Sequence, residues 1–291
     1  MVTAEMVKTL REKTGAGMMD CKKALANSNG DMAKAEDYLR ENGIAKATKK
    51  ESRIAAEGLA NIIINGNKAV ILEVNSETDF VAKNEEFKNM IESIGNTLVN
   101  SNVKTVEEAL KLPYEDGTIN DLIVSKTAKI GEKLSLRRFE IVTLNEGEIF
   151  GSYLHMGGKI ASLVIVNGNN EDVAKDVAMQ GAAMRPTYTF IEDIPEDVLE
   201  RERTVQKELA MKEGKPEEIA LKMVEGRMHK FYKEICLNEQ DFIKDSGLTV
   251  ANYLKNNNSK LIKAIRYEVG EGMEHRNDDF ASEVMNQVKG N

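Results

Sequence analysis

A chain of 291 residues with 41% apolar content is long enough to bury one sizeable core or two to three smaller ones, so a globular protein of several parts is expected. The formal net charge of -8 supplies no basic field for phosphate backbones, which argues against a nucleic-acid partner. Apolar runs such as 62–64 and 163–166 fall far short of the roughly 20 residues that a membrane span needs, and no export signal opens the sequence. With only two cysteines, Cys21 and Cys236, neither a disulfide framework nor a four-ligand zinc site is expected, and a cytoplasmic location fits. The charge is unevenly spread: the first 56 residues are slightly basic and the remainder is acidic.

The first 45 residues read as three short helices. Thr3 is suited to cap a helix with Met6, Val7 and Leu10 on its apolar face, and Gly15 to end it. Asp20 is suited to cap a second, carrying Cys21, Ala24 and Leu25. Asn27-Ser28-Asn29-Gly30 breaks it, and Asp31 starts a third with Ala35, Tyr38 and Leu39 inward and Gly43 as its stop. Residues 44–56 are rich in Lys and Ala, with few large apolar side chains, and read as a tether.

Beyond the tether lies an internal repeat. Residues 66–75 (GNKAVILEVN) align without a gap with 158–167 (GKIASLVIVN), and at the same offset Val81-Ala82-Lys83-Asn84 aligns with Val173-Ala174-Lys175-Asp176. Each copy reads as a strand, a Gly turn, a β-branched strand and a helix, with first strands at 59–64 and 149–155. The expected fold is therefore α+β, a duplicated core of small antiparallel sheets with helices packed on them. Between 194 and 235 the pattern changes to a helical hairpin: Ile194, Val198, Val205 and Leu209 keep one face apolar, Gly214-Lys215-Pro216 reverses the chain, and Ile219, Met223, Phe231 and Ile235 line the return. Met211 and Met228 are expected on its outward faces. Strand-like residues resume at 261–269, followed by a short helix with Phe280, Val284 and Val288 on one side.

Enzymatic patterns fail one by one. Gly15-Ala16-Gly17 lacks a preceding strand and a third glycine, and Gly158-Lys159 lacks the upstream glycine of a phosphate loop. His155, His229 and His275 have no Cys or His at metal-ligand spacing, and no serine has a recognisable base partner. No active site, metal or cofactor is expected. What stands out is the segment where the copies diverge: Thr78-Asp79-Phe80-Val81 against Asn170-Glu171-Asp172-Val173. An aromatic beside a carboxylate in a polar stretch suits a protein interface, although Thr78 could equally cap a helix while Phe80 covers the chain's own core. Met18-Met19, with Arg11 nearby, suits adaptable protein contacts or a plain bundle core. His155, just before Gly157-Gly158, reads as a hydrogen-bonded structural residue or a contact.

The run from Leu10 to Leu25 (LREKTGAGMMDCKKAL), together with Glu77-Thr78-Asp79-Phe80-Val81-Ala82-Lys83, resembles the bacterial elongation factor Ts family. The likeness extends through His155-Met156-Gly157-Gly158-Lys159-Ile160 and Met223-Val224-Glu225-Gly226-Arg227-Met228 to Glu268-Val269-Gly270-Glu271-Gly272, while residues 100–127 match no motif and read as variable surface. The resemblance implies a guanine-nucleotide exchange factor, not an enzyme, that binds elongation factor Tu in its GDP-bound and nucleotide-free forms. It implies a ubiquitin-associated-like bundle at 1–52, core subdomains at 53–146 and at 147–193 with 236–271, an inserted hairpin at 194–235 and a C-terminal helical module at 272–291. Thr78, Asp79, Phe80 and Val81 match the segment that disturbs the partner's magnesium site. Arg11, Met18, Met19 and His155 match further contacts to the partner. The hairpin would form a homodimer or serve as a solvated arm. A non-catalytic adaptor is the rival reading, and a small-molecule enzyme with its site between the copies is a second.

Overall fold

A computed structural model describes residues 2–214 and 216–274. Thr3 accepts a hydrogen bond from the Met6 amide and starts helix α1 (Ala4–Thr14), which ends on Gly15 at φ 66°, a left-handed conformation that glycine adopts without strain. Helix α2 (Met18–Asn27) begins ahead of Asp20, so the expected cap is a first-turn carboxylate instead, favourable to the helix dipole, and Gly17 is the N-cap. Asp31 caps α3 (Met32–Thr48) by accepting from the Lys34 amide at 3.1 Å. Gly43 does not stop this helix. Ala and Lys are strong helix formers, so α3 runs on through Thr48 and the expected tether shrinks to 49–56. Leu10, Cys21, Ala24, Leu25 and Ala35 close the small core of the bundle.

The chain divides into two compact units, one of residues 2–65, 72–141 and 268–274, the other of 66–71, 142–214 and 216–267. After the bundle come β1 (Glu57–Asn65) and β2 (Lys68–Ser76), then the single turn α4 (Asp79–Ala82) and α5 (Glu85–Val99). Phe87, Met90, Ile91, Ile94 and Leu98 form the buried stripe of α5, at the spacing of one helix face. Gly95 lets that helix approach β1, since a Cβ there would stand 2.5 Å from Ile63 Cγ1. Next follow α6 (Val106–Leu110), the short pair β3 (Pro113–Tyr114) and β4 (Gly117–Thr118), α7 (Ile119–Ile130) and β5 (Ser135–Thr143). The sheet order is β1-β2-β5. The central strand is buried from Ala69 onward, Glu73 included. Burial alone would raise the Glu73 carboxyl pKa, but the Gly270 amide, Arg137, Asn75 and Arg138 outweigh it and hold it below its ordinary 4.5.

The second sheet repeats this plan. Strands β6 (Glu148–His155) and β7 (Ile160–Asn167) pair antiparallel in register from Glu148 with Asn167 to His155 with Ile160, and α8 (Glu171–Met184) follows. The helical insertion is α9 (Glu196–Lys212) and α10 (Glu217–Ile235); then come β8 (Asp241–Phe242), β9 (Asp245–Thr249), α11 (Val250–Asn256) and β10 (Lys260–Glu268). The order is β6-β7-β10. Both sheets thus place the second hairpin strand at the centre, and the α+β fold with a duplicated core stands.

The hairpin packs differently from its expected pattern. Ala210 and Ala220 are fully buried, and such small side chains admit close helix approach, whereas Val205, Leu209 and Ile219 are exposed. Met228, expected outward, is buried with Ile194, Leu199 and Val224, because it shares a face with Val224 one turn earlier. The C-terminal helix expected with Phe280, Val284 and Val288, and His275 with it, lie outside the described residues.

Candidate protein-binding site

At the end of β2 the chain leaves the sheet through Ser76, whose hydroxyl donates to the Thr78 carbonyl at 2.9 Å. Thr78 then caps α4, its hydroxyl oxygen accepting from the Val81 amide. A carboxylate from another part of the same unit holds this turn. Glu132 accepts from the Glu77 amide at 3.1 Å, the Thr78 amide at 2.9 Å and the Thr78 hydroxyl at 2.7 Å. Val81 and Ala82 point into the unit, with Val81 only 8% exposed, whereas Phe80 is 78% exposed. Of the two outcomes left open for this segment, Thr78 does cap the helix, but Phe80 does not cover the chain's own core.

Around the ring the charges are paired. Lys83 Nζ lies 2.7 Å from Asp79 Oδ2, one helical turn away, and 5.6 Å from the Phe80 ring centroid. The arrangement is an apolar ring on a fixed helical turn, flanked by a carboxylate and an ammonium that are paired with each other. Such a surface suits contact with a protein.

A second surface lies on the N-terminal bundle. Met18 is 60% exposed and Met19 72%, so neither belongs to the bundle core. With Val7, Arg11, Lys22 and Lys129 they line an open groove of about 940 Å³. Lys129 comes from α7, just past the stretch 100–127 expected to be variable surface, and nothing in the sequence signals its place here. His155 lies in the other unit at the end of β6, half-buried and stacked on Tyr153 at a ring separation of 6.1 Å. The most accessible side chain at that turn is Met156, 71% exposed and held at φ 50° ahead of Gly157. A flexible apolar side chain on a strained left-handed turn is a signal that sequence reasoning passed over in favour of the histidine.

Among the described residues no group of three His, Cys, Asp or Glu side chains is placed to hold a metal ion. Cys21 and Cys236 are both buried. Burial, then the carboxylates of Glu239, Asp193 and Glu192, push the Cys236 thiol up to about 11, so it stays protonated at neutral pH. No helix among the described residues is long and apolar enough to cross a membrane.

Comparison with known proteins gives one answer. A family model described as elongation factor TS matches residues 77–271, a span that includes the Thr78–Val81 turn, Glu132 and His155. Two curated proteins named elongation factor Ts, from Limosilactobacillus reuteri strain DSM 20016 and from Limosilactobacillus reuteri subsp. reuteri strain JCM 1112, are each 53% identical to the chain. Each match runs over 287 residues, covering 99% of this chain and 99% of the relative, so the N-terminal bundle falls within it.

Proposed function

The chain belongs to the elongation factor Ts family, translation elongation factors, and from that premise we propose that it is the guanine-nucleotide exchange factor of elongation factor Tu. It binds the GDP-bound form, disturbs the magnesium and phosphate site, and promotes GDP release so that GTP can enter. The observation that carries this reading is Phe80: a large ring kept out of the chain's own core on a turn held by the Thr78 cap and the Glu132 carboxylate.

A GTPase holds its nucleotide through backbone and lysine contacts to phosphates and through a bridging magnesium ion. Removing the nucleotide requires no bond to be made or broken. A partner that favours the nucleotide-free form weakens nucleotide binding by the same factor by which nucleotide weakens the partner's binding. Moving such an equilibrium from 1:99 to 99:1 takes about 5.5 kcal/mol of differential affinity. One ring cannot supply that. In this mechanism the bundle grips through Arg11, Met18 and Met19, His155 and its turn add a contact from the second unit, and Phe80 wedges while Asp79 acts near the magnesium. Thr78 and Val81 hold the wedge from beneath. The chain uses no cofactor, acts in the cytoplasm and touches neither nucleic acid nor membrane.

Release of labelled GDP from purified elongation factor Tu, with and without the chain, tests the function. Truncation of Phe80→Ala tests the wedge. Loss of an interface anchor costs about 2 kcal/mol or more, and the acceleration should fall more than the affinity of the complex does. Because the ring is exposed, folding stability should stay within about 0.5 kcal/mol of the parent. Parental acceleration by Phe80→Ala would remove the wedge, and binding without any acceleration by the parent chain would favour an adaptor.

The hairpin also has a proposed partner, a second copy of this chain. Val205, Leu209, Met211, Ile219 and Leu221 are exposed toward its tip, an apolar surface with no use inside the unit.

A further inference from the structure

Glu132 sits between two surfaces that the proposed function uses separately. Its carboxylate takes three donors from Glu77 and Thr78, the pair that leads into Asp79 and Phe80. The bonding is reciprocal: the Glu77 carboxylate accepts from the backbone amide of Lys133, the residue after Glu132, at 2.6 Å. The turns 77–78 and 132–133 therefore clasp each other, each carboxylate reaching the other turn's backbone.

The same short segment reaches toward the N-terminal bundle. Lys133 Nζ donates to the carbonyls of Glu51 at 2.6 Å and Arg53 at 3.1 Å, and the Lys50 ammonium donates to the Gly131 carbonyl. Arg53 closes the circuit on Glu77, 3.2 Å from its Oε1. Just before this segment, α7 packs along α3, with Ala128 against Gly43 and Asp121 3.3 Å from Arg40. Residues 50–53, 77–78 and 131–133 thus form one joint. It stands beneath the Phe80 turn on one side and at the root of the bundle that carries Met18 and Met19 on the other.

We propose that Glu132 is a positioning residue that fixes the Thr78–Phe80 turn for nucleotide release and, through Lys133 and the linker, sets it in one rigid frame with the bundle. The exchange part of this inference rests on the function proposed above; the geometric part does not. Charged acceptors hold amides more strongly than neutral ones, and a partner inserted through one ring gains most when that ring does not have to be ordered on binding. Glu132 touches no nucleotide in this account and acts only through Phe80.

The experiment compares the full chain with Glu132→Ala, with Phe80→Ala and with both changes together. The maximal rate of GDP release at saturating chain should fall about tenfold in Glu132→Ala, in line with the loss of hydrogen bonds to a charged group, while the half-saturating concentration stays within about twofold. Adding Glu132→Ala to Phe80→Ala should cost nothing further, since the residue acts through the ring. Glu132→Gln, which keeps one strong acceptor, should recover part of the rate. An unchanged maximal rate in folded Glu132→Ala, or a full additional loss in the double variant, overturns the proposal. Amide hydrogen exchange gives a readout independent of any partner: protection of the Glu77 and Thr78 amides should fall about tenfold relative to β2, and unchanged protection overturns the clasp. If the parent chain does not release GDP at all, the exchange function fails and this amide measurement alone decides the joint. If Glu132→Ala does not fold, Glu132→Gln, which loses the charge and one acceptor oxygen but leaves the Thr78 cap intact, takes its place: a smaller fall in maximal rate and in amide protection is expected, and no change in either overturns the proposal.

Discussion

After β2 the chain makes one turn of helix, breaks at Lys83-Asn84 and restarts as α5, whereas after β7 it runs directly into α8, a single helix capped by the Asn170 side chain. The buried positions are kept in both copies: Val81 and Ala82 in the first match Val173 and Ala174 in the second, all facing inward. The exposed position between cap and buried pair is Phe80 in one and Asp172 in the other. Display has thus been added to one copy without disturbing the pair that seals it to the sheet. The broken helix makes this tolerable, because Asn84 recaps the chain by accepting from the Glu86 amide at 2.7 Å and lets α5 set its own angle. The insertions differ as well: the first copy carries α6, β3, β4 and α7 before its third strand, and the second carries the α9–α10 hairpin.

The strongest way to break this comparison is to disturb the unbroken copy. A Cβ on Gly151 would stand 2.1 Å from the Ala174 carbonyl oxygen, so β6 and α8 are in direct backbone proximity. Gly151→Ala should destabilise the protein by about 3 kcal/mol, measured by urea unfolding, since neither backbone has a flexible end that could yield. A cost below about 1 kcal/mol would mean that α8 adjusts as freely as the broken helix does. A smaller effect on stability, but a large one on function, is expected from exchanging the displayed residues. Phe80→Asp should keep its unfolding midpoint, with a change of at most about 0.5 kcal/mol, and lose the acceleration of GDP release, while Asp172→Phe should gain none. If Asp172→Phe restored release to Phe80→Asp, display in either copy would be equivalent. The smallest effect on the monomer concerns the hairpin. Sedimentation of the chain at increasing concentration should reveal a heavier species, and Leu221→Glu should remove it without altering the melting curve. A single mass at every concentration would leave the hairpin a solvated arm.

Much of this was legible in the sequence because it rests on local chemistry. Thr3, Asp31 and Gly15 act as the caps they resemble, and the aligned glycine turns fall at the two central hairpins. The divergent Thr78–Val81 segment, chosen because a ring in a polar stretch needs a reason, does carry the exposed ring. The rest depends on partners distant in sequence. Ala- and Lys-rich residues at 44–48 read as a tether because they lack large side chains, yet their helix propensity carries α3 through Thr48 although most of them are exposed. Residues 100–127 matched no motif, and most of α7 lies within them, although Asp121 also forms a capping box with Thr118 that local reading could have caught. Glu132 has no signature at all: one carboxylate after a glycine becomes informative only when Thr78 lies opposite. In the hairpin, periodicity marked the helices correctly but could not say that Ala210 and Ala220 would be the buried positions while Val205, Leu209 and Ile219 stay exposed.

The length of α3 has a mechanical consequence. Its 17 residues make a rod of roughly 25 Å, with Ala35 in the bundle core toward one end and Gly43 against α7 toward the other. A cantilever of that length magnifies small errors at its root: a tilt of about 5° there displaces the far end by about 2 Å, enough to separate surfaces that should touch. Stiffness at the root therefore governs accuracy at the tip. The fastenings at that root, from Arg40 to Asp121 and from Lys50 to the Gly131 carbonyl, are what a long lever requires. Wear at α7 would be felt most at the Met32 end of α3, whereas Met18 and Met19 lie near the root, beside Lys129 of α7 and next to Asp20, which Lys46 holds at 3.0 Å.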